Sequence, residues 1–103
     1  TKEIKEDAKI NDSKSGNVSF KVQIETSDSK ISLTDKKFLG VKVEEYQQDN
    51  LYKYTTGDFE NDISAAKKLQ TEMRTKGFQH AFVAAFMDGE RISIEKAIKL
   101  AEK

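Results

Sequence analysis

The sequence predicts an α+β domain, and three features of its patterning carry that prediction. Val18, Phe20, Val22 and Ile24 alternate strictly with Ser19, Lys21 and Gln23, the period of a strand with one face in a core. Two further runs, Val41 to Tyr46 and Leu51 to Thr56, flank Gln48, Asp49 and Asn50, residue types that favour tight hairpin turns. Between Gly57 and Gly77, Ala66, Leu69 and Met73 recur at i, i+3 and i+7, which puts them on one stripe of a helix.

Taken in order, Thr1 to Asn17 is polar and turn-rich and reads as a linker, with the domain itself spanning residues 18–103. The strand from Val18 to Ile24 comes next. Ser27 to Gly40 is a polar stretch with Ile31, Leu33, Phe38 and Leu39, just long enough for a short crossover helix. After the two hairpin strands Gly57 ends the third strand, and Asn61 is placed to cap a helix whose first turn holds Asp62. That helix runs to about Lys76, with Ile63 beside the apolar stripe and Lys67, Lys68, Glu72 and Arg74 facing water. Gly77 suits a left-handed stop, with Phe78 positioned to touch Met73 across it. Gln79 to Phe86 reads as a fourth strand, and Asp88 with Gly89 makes a turn. Ser93 caps a last helix in which Ile94, Ala97, Ile98 and Ala101 share a face. This order matches the ferredoxin-like βαββαβ plan: an antiparallel four-stranded sheet with helices on one face, a short first helix and an added C-terminal helix. In such a plan the opposite sheet face is open, and function is sought there.

Composition narrows the function. With 103 residues there is room for one core. The charged fraction of 35% exceeds the roughly 25% of an average domain, yet 18 basic and 18 acidic residues cancel. No net field draws the chain to nucleic acid or anionic lipid. The lack of cysteine removes disulfides, thiolate nucleophiles and the usual zinc sites. No apolar run approaches the roughly 20 residues that cross a bilayer, so no direct membrane insertion is expected. The start at Thr1 without methionine is that expected of a piece of something longer, with any targeting signal upstream.

Catalysis needs converging titratable groups, and His80 stands alone without a carboxylate or second histidine at ligand spacing. Glu44 and Glu45 are adjacent on a strand and point to opposite faces, so they form no acid/base pair. No phosphate-cradling glycine loop or nucleophile elbow is present. A binding domain without catalytic residues, metal or cofactor is therefore expected. Alternation puts Lys21 and Gln23 of the first strand, and Leu51, Lys53 and Thr55 of the third, on the open face. On the fourth strand two registers are open. Either Ala81, Val83 and Ala85 face the core with His80, Phe82, Ala84 and Phe86 outward, or the reverse, which makes Phe82 and Phe86 core residues under the last helix. The first is favoured, with the aromatics serving as a platform.

Several of these segments together resemble the SPOR (sporulation-related) domains of bacterial cell-envelope proteins. The likeness covers roughly residues 18–86. It rests on Phe20, Lys21, Val22, Gln23 and Ile24 as the first strand, and on the run Tyr52, Lys53, Tyr54, Thr55, Thr56, Gly57, Asp58, Phe59 at the third. Ala65, Ala66, Leu69 and Gly77 match the alanine-rich helix that ends at a glycine. The stretch from Gly77 to Ile92 is similar to a Bacteroidetes variant found at the C-terminus of cell-wall amidases. The resemblance implies a non-catalytic module, monomeric in isolation, in the periplasm or cell envelope. It would bind peptidoglycan glycan strands stripped of their stem peptides and target a parent protein, such as a cell-wall hydrolase, to the wall. Carried over residue by residue, the glycan contacts fall on Gln23 and Thr26, Leu51 and Lys53, and Phe82. Glu25 and Thr26 depart from the family's small pair at that point. Sugar C–H faces pack on aromatic rings, hydroxyl and N-acetyl groups need partners such as Gln23, Thr26 and Thr55, and Lys21 or Lys53 would reach a muramic lactyl carboxylate.

Two other readings compete. RNA-recognition motifs share the strand order and stack bases on sheet aromatics, but here Gln79 and His80 break the spacing of their signature, and the net charge is zero. The other is a protein-interaction or assembly domain that uses a sheet edge or the last helix.

Overall fold

The structure, a computed structural model, describes residues 17–101, so the linker assigned to residues 1–17 lies almost wholly outside the described residues. The chain is α+β. Among the described residues five strands, β1 (Val18–Ser27), β2 (Glu44–Gln48), β3 (Leu51–Glu60), β4 (Phe82–Met87) and β5 (Glu90–Ile92), accompany helices α1 (Ile63–Lys76) and α2 (Ile94–Ala101). They form one antiparallel sheet in the order β2-β3-β1-β4-β5. The first four strands thus have an order compatible with a ferredoxin-like plan. The fifth corrects the expected count of four.

Both helices pack on the same sheet face. Val18 and Phe20 of β1 and Val83 and Ala85 of β4 share one apolar cluster with Ala66 of α1 and Ala97 of α2. A second cluster joins Val22, Ile24 and Tyr54 to Met73, Phe78 and Ala81. The strict alternation of β1 is what supplies this layer, since each second residue faces the helices.

Asp62, rather than the expected Asn61, caps α1: its carboxylate accepts the Ala65 N–H at 3.0 Å. Asn61 has a φ of 55°, and its side-chain oxygen accepts the Val18 N–H at 3.0 Å, so it ties the end of β3 to the start of β1. At the other end Gly77 lies at φ 134° while the Phe78 N–H bonds the Met73 carbonyl at 3.0 Å, the six-to-one closure of a Schellman stop. Ser93 caps α2 through the Lys96 N–H at 3.1 Å.

Three strand assignments are corrected. β2 begins at Glu44, so Val41 to Val43 approach it as irregular chain. β4 begins at Phe82, and Gln79 and His80 form an exposed turn before it. Gly57 does not end β3. Its φ of 80° makes a bulge, with Phe20 opposite Phe59 but Val22 opposite Thr56, and the strand continues to Glu60. The extra residue turns Phe59 onto the core face, which simple alternation from Tyr54 would deny it.

The expected crossover helix reduces to one 3₁₀ turn, Lys36–Phe38, capped by Asp35, whose carboxylate accepts the Lys37 N–H at 2.9 Å. Phe38 does the work of a helix face: it is 1% exposed and packs at 5.2 Å, centroid to centroid, on Tyr54. The Tyr54 hydroxyl holds this crossing in place by accepting the Ile31 N–H at 2.7 Å and donating to Glu45 at 3.1 Å. Burial raises the Tyr54 hydroxyl above its ordinary range, so it stays a donor.

Candidate functional site

On the face away from the helices the sheet curls into a trough. Its floor is β3, β1 and β4, and among the described residues no helix lies across it. The two hairpins that wall it are short and well specified. Asp49 and Asn50 have φ of 57° and 62°, and Asp88 and Gly89 have 53° and 81°, the positive pairs of two-residue turns matched to strand twist. Such turns fix register. The first puts Tyr46 opposite Lys53 and the second puts Arg91 opposite Phe86.

Of the residues assigned to the site by sequence, six share the floor. Gln23 lies opposite Thr55 on one side and Phe82 on the other, Lys21 lies opposite Ala84, and Thr26 lies opposite Lys53. Thr26 reaches this face because Ile24 is an extra residue in β1, between the pairs Gln23–Thr55 and Glu25–Tyr54. Gln23 then donates to the Thr26 hydroxyl at 3.0 Å. Leu51, opposite Gln48 at the start of β3, is half-buried at the hairpin end. The favoured register of β4 holds: Ala81, Val83 and Ala85 join the core, while Phe82 stands 37% exposed and Phe86 packs edge-on against Tyr46 at 5.0 Å.

The face is less bare than alternation implies. Gln23, Lys53 and Thr55 are only 4%, 9% and 2% exposed. What covers them is Tyr46 of β2, whose hydroxyl donates to Gln23 Oε1 and accepts from Arg91 Nη1 at 2.9 Å. Burial raises the Tyr46 hydroxyl against the opposing pull of Arg91, so it too stays protonated. The two lysines are engaged. Lys21 pairs with Glu44 at 2.9 Å and stands 5.4 Å above the Phe86 ring, and Lys53 donates to Gln48 at 2.7 Å with Asp49 at 3.9 Å. Each lysine expected to reach a sugar carboxylate thus has a partner within the sheet.

Sequence reasoning missed Tyr46, Arg91 and Glu44 as members of this site. The signal existed, since Glu44, Tyr46 and Gln48 alternate with Glu45 and Gln47, and a two-residue Asp-Gly turn fixes which face Arg91 shares. Beyond the Tyr46–Arg91 contact the trough widens into a cleft of about 630 Å³ lined among others by Ser19, Lys21, Glu44, Thr55, Asp58 and Phe86. Glu45 points to the other face, as alternation requires, and pairs with Lys30 at 2.7 Å. His80 is exposed in the turn before β4, and among the described residues no three metal-ligating side chains converge. Comparison with protein-family models, curated proteins and solved structures gives no match for this chain.

Proposed function

We propose that the chain is a non-catalytic module that binds a polysaccharide strand in the trough. The reading extends to peptide-stripped peptidoglycan glycan, on the SPOR-like residues of β1 and β3 and a ferredoxin-like strand order, with a parent envelope protein as what is targeted to the wall. The observation that carries it is an exposed aromatic, Phe82, beside a run of neutral hydrogen-bonding groups, Thr26, Tyr46 and Gln48, with Gln23 buried beneath Tyr46. A pyranose has the same two-sided chemistry, with C–H faces for the ring and hydroxyls for the amides. An extended strand fits an open sheet face better than it fits an enclosed cavity.

A phosphate backbone fits less well. Glu44, Asp58 and Asp88 line the wide cleft, and Lys21 there is already paired with Glu44. Retention on intact and on amidase-stripped cell-wall sacculi tests the proposal. Stripped material is expected to retain the domain more strongly, with little dependence on salt; equal loss from both would end the glycan reading.

A further inference from the structure

The trough holds one cation whose partners are all neutral. Arg91 reaches inward from the edge strand β5, donating from Nη1 to the Tyr46 hydroxyl at 2.9 Å and to Gln48 Oε1 at 3.5 Å. Its Cζ stands 5.6 Å from the centroid of the Phe82 ring. Among the described residues no carboxylate pairs with it, whereas Lys21 has Glu44 and Lys53 has Asp49. A half-buried guanidinium without an anion has lost hydration and gained no opposite charge. The contacts it makes with described residues use Nη1 alone, leaving Nε and Nη2, a fork matched to a carboxylate.

We propose that Arg91 is the anion-recognising residue of the trough and takes the carboxylate of an acidic sugar in the bound strand. The Tyr46 hydroxyl and the Phe82 ring hold the guanidinium in one orientation, which reduces the side-chain entropy lost on binding. A sugar packed on the exposed part of Phe82 brings its ring substituents to that fork. Arg91, rather than either lysine, then distinguishes strands with free carboxylates from strands in which peptides or amides cap them. The proposal rests on the polysaccharide-binding reading above.

The test compares peptide-free glycan strands with the same strands after their muramic carboxylates are converted to methylamides. Wild type is expected to bind the methylamide form at least about tenfold more weakly, as for the loss of a hydrogen bond to a charged group. Arg91→Gln is expected to bind both forms with the same reduced affinity, and Arg91→Lys, which keeps charge but not the fork, to fall between. The methylamide arm needs no variant, so it decides the matter even if Arg91→Gln fails to fold. Equal wild-type affinity for both forms overturns the assignment of Arg91 and leaves polysaccharide binding standing. No wild-type binding to either form removes both. Binding to a single-stranded oligonucleotide that collapses with salt makes the anion a phosphate and overturns the proposal.

Discussion

The Tyr46 hydroxyl and the Arg91 guanidinium meet at 2.9 Å although β2 and β5, which carry them, are the opposite edges of the sheet. A flat sheet with neighbouring strands roughly 4.8 Å apart would hold these edges about 19 Å from one another. Only strong twist and curl let the two side chains touch. Beneath the contact lies Gln23, whose side-chain oxygen accepts the Tyr46 O–H hydrogen bond. Tyr46→Phe is therefore expected to leave a buried amide oxygen without a donor and to cost about 1–2 kcal/mol, measured by urea denaturation.

The two aromatics of β4 are expected to separate binding from stability. Phe82→Ala removes an exposed ring and should weaken retention on stripped sacculi while stability changes by less than about 1 kcal/mol. Phe86→Ala removes a ring that is 6% exposed and packed under Tyr46, and should cost about 3 kcal/mol. Paired thermal melts and pull-downs check both at once.

Gly57→Ala should destabilise the domain by about 2 kcal/mol or more. The added Cβ would lie 2.5 Å from Leu69 Cδ2 and 2.9 Å from Phe59 Cε2, at a φ of 80° that L residues avoid. Because Leu69 belongs to α1, the strain falls on the contact between helix and bulge. A melting temperature unchanged by the substitution would contradict this account.

Tyr54→Phe keeps the ring against Phe38 but strips the Ile31 N–H of its acceptor. A loss of about 1–2 kcal/mol is expected, together with faster amide exchange at Ile31.

Acid should weaken the crossing first. The Lys30 ammonium, and next the Tyr54 hydroxyl, hold the Glu45 carboxyl below its ordinary value of 4.5. A depressed folded-state value means that the stabilisation is present above 4.5 and is lost as pH falls through the lower, folded value. Glu45→Gln is expected to lower stability in the neutral region toward its acid level and to leave the acid region little changed, which flattens that limb of a stability-against-pH curve.

Elements with a long regular period were legible in the sequence. Val18 to Ile24 has three full alternations, and α1 has a complete apolar stripe closed by Gly77. β5 was not, because Glu90–Ile92 is too short for any period to register. The segment around Phe38 carries too few apolar residues for a continuous helical stripe, and one plug replaces a face. For the site, period two was enough to group Gln23, Lys53, Thr55 and Phe82. It could not show that Tyr46 and Arg91 meet over Gln23, since curl arises from the whole sheet rather than from any one strand.

The inserted Ile24 acts as a frame-shift written into the backbone. With Ile24 kept but the bulge closed into strict alternation, Glu25, Thr26 and Ser27 would exchange sides, setting Thr26 toward the apolar layer and an acidic chain toward the polar floor. Any graft or chimera of this strand must therefore be aligned by counting residues, because matching the hydrophobic positions alone carries the wrong chemistry to the face away from the helices.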